Sequence, residues 1–157
     1  MKKLLLFPLL AGLAFTSCKK TKVPSVDQTT STARPGDWSY DASAYEYSTV
    51  LIVSKITQDI VDNGTVMTFL KKSDGTYVAL PTTFYSTGYS FTMGFSYEVS
   101  KVHIYMDCSS DLPGLTFNSN DYKVVTISRA QREAHPNTNW KNYDEVQKVL
   151  LSDAVAE

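Results

Sequence analysis

Cysteine and histidine are scarce in this 157-residue chain, two of each, and seven glycines are spread thinly along it. Two cysteines cannot build a disulfide framework, and with Cys18 assigned below to another task, Cys108 is left without an intramolecular partner and reads as a buried, inert thiol. No glycine forms a G-x-S-x-G nucleophile elbow. His103 and His135 are the only candidate bases, and His103 stands five residues from Cys108, a spacing that puts the two on opposite faces of one strand. Nucleophilic catalysis therefore has no visible constellation, and a hydrolytic enzyme is the least favoured reading. An excess of one charge is missing too. Without residues 1–17 the remaining 140 residues carry 13 Lys and Arg against 16 Asp and Glu, a formal balance of −3. That balance supplies no basic surface for nucleic acid. There is no internal repeat and no long charge run.

Apolar runs are short as well. The longest, Leu4 to Phe15, is interrupted by Pro8 and Gly12 and falls short of the ~20 residues needed to cross a bilayer. Lys2 and Lys3 precede it and Thr16-Ser17-Cys18 follow, the layout of a signal peptide. The exit Phe15-Thr16-Ser17-Cys18 resembles the lipobox of bacterial lipoproteins, with Phe15 where Leu is usual. The resemblance implies cleavage before Cys18 and lipidation of its thiol, which forms the thioether to the lipid. Several acyl chains on one residue give stable anchoring at ~0.8 kcal/mol per buried methylene. The partner implied is a membrane, reached through the lipid. No Asp follows the cysteine, which by resemblance to Gram-negative sorting rules directs the protein to the outer membrane. The acidic tripeptide of surface-exported lipoproteins is missing, which favours the periplasmic face over the cell surface.

The expected organisation is a signal peptide over 1–17, a lipidated flexible tether over 18–36 and a single β-rich domain over 37–157 with a helical segment at its C-terminal end. The tether is read from the Thr, Ser, Lys and Pro content of KKTKVPSVDQTTSTARPGD. Beyond it, β-branched runs are separated by turn chemistry: YSTVLIVS from Tyr47, TVMTFLK from Thr65, Tyr77 to Leu80, an edge segment at Thr82 to Tyr85, and DYKVVTIS from Asp121. In YSFTMGFSYEV the residues Tyr89, Phe91, Met93, Phe95, Tyr97 and Val99 alternate with small or polar ones, which predicts a strand with one buried face. The parity switches near Ser100, so a turn or bulge belongs there. Ser73-Asp74-Gly75 reads as a hairpin turn. Thr57 and Asp59 suit the start of a short helix with a left-handed stop at Asn63-Gly64, although Asp62-Asn63-Gly64 also suits a hairpin. Ser128 and Gln131 are spaced as a capping box. Asn142 suits the cap of a last helix with Tyr143, Val146, Val149 and Leu150 on one stripe, short enough to need docking on a sheet. The fold predicted is mainly β, an antiparallel β-sandwich of jelly-roll or immunoglobulin-like topology with a short C-terminal helix; a small β-barrel is the alternative.

Candidate binding chemistry is sparse. Asp107, Ser109 and Asp111 alternate as oxygen ligands do around a hard cation such as calcium, but Leu112 stands where such a loop needs Gly and Asn118 where it needs Glu. The set is read as a solvated polar loop, and no cofactor is expected. Trp38, Tyr40, Tyr45 and Tyr47 near the domain's start, and Trp140 with Tyr143 near its end, are the aromatic faces on which a sugar ring would stack, with Trp38, Tyr40 and Trp140 the leading ligand-binding candidates; packing is the plainer role for all of them. The function expected is a structural or protein-interaction module of the cell envelope, with an exposed strand edge as one means of capture. Glycan binding is the alternative.

Taken in order, Trp38, ITQDIVDNGTVMTFLK, YVALPTTF, the alternating aromatic strand and DYKVVTIS resemble a group of small Bacteroidota-type lipoproteins and secreted β-domains, some of whose relatives carry collagen-like Gly-X-Y arms. The resemblance spans roughly residues 38 to 128 and includes no such arm. It implies a strand-and-turn framework and attaches no activity.

Overall fold

The computed structural model describes residues 26–86 and 88–155; the expected signal peptide over 1–17 and Cys18 lie outside them. Nine strands occur among the described residues: β1 (Asp27–Ala33), β2 (Ser39–Asp41), β3 (Glu46–Ile52), β4 (Thr65–Lys71), β5 (Tyr77–Ala79), β6 (Thr82–Ser86), β7 (Tyr89–Glu98), β8 (Lys101–Cys108) and β9 (Asn120–Ile127). Helix α1 (Gln58–Asn63) sits between β3 and β4, while α2 (Arg129–Ala134) and α3 (Tyr143–Val155) follow β9. The strands form two antiparallel sheets in the orders β1-β9-β4-β5 and β2-β3-β8-β7-β6. Each keeps its own two edges, so the molecule is a β-sandwich with a C-terminal helix and the barrel alternative does not hold.

Period-two alternation builds the interior. Val66 and Leu70 of β4 and Tyr122 and Val124 of β9 face Tyr47, Leu51, Met93, Val102, Ile104, Met106 and Cys108 of the other sheet in one buried cluster. The opposite parity of the four-stranded sheet, Met67 and Phe69 of β4 with Val125 and Ile127 of β9, forms a second cluster beneath Val146 and Val149 of α3. This sheet is thus covered on both faces, which explains why TVMTFLK and KVVTI read as nearly continuous apolar runs. The expected stripe on α3 docks as anticipated, and Asn142 caps the helix by accepting from the Asp144 and Glu145 N–H groups.

The flexible tether expected over 18–36 ends earlier. Residues 27–33 form β1, paired along its length with β9 from Asp27↔Thr126 to Ala33↔Asn120, and the folded chain begins by Val26, which is buried. An edge strand with one side in water needs little apolar content, and the hydroxyl-rich DQTTSTA is what such an edge tolerates. Composition therefore hid it.

Local signals fared better. Thr57 caps α1 by accepting from the Ile60 N–H, Ser128 and Gln131 form both halves of a capping box on α2, and Ser100 carries the turn between β7 and β8 with φ +63°. The stop at Gly64 has a different cause from the one expected. Its φ is −92°, not left-handed; a Cβ there would lie 2.8 Å from the Ile127 carbonyl oxygen and 2.9 Å from the Ile60 backbone. Close approach of α1 to the end of β9 is what requires glycine. The aromatic face of β7 is turned to the core, with Met93 buried and Phe91, Phe95 and Tyr97 packed at its margin. Tyr89 at the start of the strand is exposed, as is Val99, which falls in the turn after β7 and not on its buried face.

Candidate functional site

Two of the three aromatic candidates meet at one end of the sandwich. The Trp38 ring stacks on Phe117 at 4.3 Å, Phe117 meets Tyr47 edge-on at 5.0 Å, and Tyr40 leans on Tyr47 at 4.6 Å. Phe117 belongs to the long β8–β9 loop, which the tyrosines fasten. The Tyr47 hydroxyl donates to the Leu112 carbonyl and accepts from the Leu115 N–H, both at 2.8 Å, and the Tyr40 hydroxyl donates to Asp111. That carboxylate holds the Tyr40 proton and pushes its pKa up to about 12. Trp38 and Tyr40 are therefore engaged in closing the end of the sandwich. Trp140 packs at the margin of the cluster under α3 and meets the His135 ring edge-on.

The proposed oxygen ligands are dispersed over separate partners. Ser109 accepts from the Ser90 N–H through its hydroxyl, Asp111 takes the Tyr40 hydroxyl, and Asp107 lies on β8 between Glu46 and Thr92 on the neighbouring strands. Among the described residues no group of three or more His, Cys, Asp or Glu side chains is gathered as a metal site. His103 and Cys108 fall on opposite faces of β8: His103 sits 3.3 Å from Glu98 on the outer surface, whereas Cys108 is buried, and burial, then the Asp107 charge, raises its thiol pKa. His135 is 3.6 Å from Asp153, whose other oxygen accepts from the Val26 N–H at the start of the folded chain.

A concavity lies elsewhere, a groove of about 700 Å³ between the β4–β5 hairpin with edge strand β5 and the loop that leads into α3. Gly75, at φ +84°, makes the hairpin turn, and Asp74 clamps it by accepting from the Thr76 N–H and hydroxyl; these bonds, with Lys72, hold the Asp74 pKa down to about 2. The Lys72 N–H bonds the Thr76 carbonyl and the Leu80 N–H bonds the Thr68 carbonyl. Bonded and non-bonded pairs alternate along an antiparallel ladder, so the N–H and C=O groups of Tyr77 and Ala79, opposite Lys71 and Phe69, turn away from β4 towards the open edge.

The facing wall is built by the segment that caps α3. The Asn139 N–H donates to Glu145, and the Asn139 Oδ1 accepts from the Lys141 N–H. With both Asn139 Oδ1 and Asn142 Oδ1 committed to the backbone, the two side-chain NH₂ groups have no partner among the described residues, nor do the Lys141 ammonium and the Asp144 carboxylate. The Tyr77 and Tyr143 rings, 4.5 Å apart, line the apolar part. Tyr143 is held from behind by Phe69 and by hydrogen bonds of its hydroxyl to Gln28 and Gln147; burial, then Tyr77, raises its pKa.

Sequence reasoning read Asn142 as a cap and Gly75 as a turn but did not bring them together, because their meeting depends on β5 being an edge and on α3 crossing the sheet beside it. The one local signal was the amide-rich run NTNWKN before α3. No protein-family model, curated protein or solved structure matches the chain.

Proposed function

We propose that this chain is a lipoprotein anchored through Cys18 to the outer membrane, facing the periplasm, and that its β-sandwich is a recognition module of the cell envelope. The observation that carries the recognition reading is the groove beside β5: residues that carry outward backbone groups, uncommitted side-chain donors and an acceptor line one concavity of the size typical of ligand sites. The walls are a sheet edge and a capped helix start, both fixed by packing on Phe69 and Tyr143, so a ligand would meet them with little ordering cost. Binding is favoured over catalysis because the groove's polar groups are amides, an ammonium, a carboxylate and phenols, with no nucleophile beside a base.

Val26, the first described residue, donates its N–H to Asp153 near the C-terminal end of α3, whereas the groove lies at the N-terminal end, ten residues or about 15 Å along the helix. An anchor before Val26 would therefore leave the groove at the other end of α3. The test is position-specific cross-linking in cells. With a photo-reactive residue in place of Lys141, illumination should yield adducts that are lost when the same group replaces Tyr85, which is 84% exposed on β6. Adducts of the same kind and yield from both positions, or none from position 141, would remove the groove as the recognition site.

A further inference from the structure

The geometry points to a neutral oligosaccharide of two to four rings as the ligand of this groove, an assignment that rests on the recognition reading above. Five observations separate it from an extended peptide. The open edge of β5 is three residues long, bounded by the turn at Gly75 and by Pro81. Only Tyr77 and Ala79 present outward groups, two N–H and two C=O, whereas strand addition draws its affinity from a longer ladder, and very short edges are a device that prevents it. The opposite wall has no repeating backbone pattern to accept a strand; it offers the Asn139 and Asn142 NH₂ groups, the Lys141 ammonium and the Asp144 carboxylate.

Those groups combine donors and acceptors with one positive and one negative charge. Such a set suits a ligand that is uncharged and rich in hydroxyls, each able to donate and accept at once. The Tyr77 ring supplies the apolar face against which the C–H side of a sugar ring packs, and aromatic residues with a few fixed polar groups are what such sites need. Finally, a volume of about 700 Å³ is that of a small-ligand site.

The experiment is saturation-transfer NMR on the full lipoprotein in a sugar-free detergent, with neutral gluco-, manno- and xylo-oligosaccharides of two to four rings as probes and uncharged tripeptides as the comparison. Transfer to at least one oligosaccharide series is expected, weakened at least tenfold in affinity by Lys141→Ala and by Tyr77→Leu and unchanged by Tyr85→Ala. Tyr77→Leu keeps an apolar side chain on β5, and a wild-type-like amide spectrum of each variant shows that the fold is retained. Transfer to tripeptides alone overturns the saccharide assignment and leaves the groove as a recognition site. Transfer to an oligosaccharide that ignores both groove variants places binding elsewhere and overturns the assignment. Transfer to no probe overturns it too, and if position 141 also gives no cross-link in cells, the recognition reading falls with it.

Discussion

At the scale of single residues, the tightest requirement is at Gly64. Three backbone atoms lie within 3 Å of where its Cβ would be, and backbone cannot yield as a side-chain tip does. Gly64→Ala should cost about 1–3 kcal/mol through displacement of the end of α1 from β9 and distortion of its last turn at Ile60, read from urea unfolding; a loss below ~0.5 kcal/mol would show that the helix end shifts freely. Contrast Gly94, whose absent Cβ is covered by the Tyr105 ring at 2.5 Å, a neighbour that can swing away. Tyr40 makes a different prediction. Its bond to Asp111 raises its pKa from 10.0 to about 12. Between those values the unfolded chain ionises Tyr40 while the folded chain keeps it protonated, so the stability it contributes is complete below pH 10 and is lost as pH rises towards 12. The thermal midpoint of the wild type should therefore fall faster than that of Tyr40→Phe across pH 10–12, with the two converging at the top. Parallel curves would mean that the phenol–carboxylate bond contributes nothing in solution.

At the scale of elements, what was legible in the sequence was whatever depends on neighbours in the chain. Caps at Thr57, Ser128 and Asn142, the hairpin at Gly75 and the parity switch at Ser100 are decided within four residues, and each was readable. The residues of β1 were not, because an edge strand borrows its partner from β9, some ninety residues away, and shows no apolar alternation of its own. The groove was hidden for the same reason: Tyr77, Asn139 and Lys141 are brought together by the docking of α3, and the stripe on that helix says that it docks without saying where. The docking can be tested through Phe69, which is fully buried and lies 5.0 Å from the Tyr143 ring. Phe69→Ala should cost about 3–5 kcal/mol, with the amides of α3 losing hydrogen-exchange protection before those of β7 and β8. Equal loss across both sheets would argue that α3 and the sandwich unfold as one unit instead of the helix detaching first.

For the whole molecule, the position of β1 changes how close the domain can stand to a membrane. If Cys18 carries the lipid, it stands eight positions before Val26, the first described residue, a stretch that reaches at most ~28 Å at full extension; a tether running on to residue 36 would have reached distinctly further. If that anchor forms, a domain so close to the bilayer meets material lying against the membrane, and the groove stands at the end of α3 away from Asp153, which accepts from the Val26 N–H. This arrangement depends wholly on the thioether at Cys18. Cys18→Ser removes the only atom able to form it, so the precursor should keep residues 1–17, incorporate no labelled fatty acid and leave the outer-membrane fraction. The sandwich itself, whose buried clusters begin at Val26, should retain the thermal midpoint of the wild type. Acylated Cys18→Ser protein in the outer-membrane fraction would overturn the anchoring. A lowered midpoint would instead show that the lipid-proximal residues take part in the fold, and the short tether would then have to be redrawn as structure.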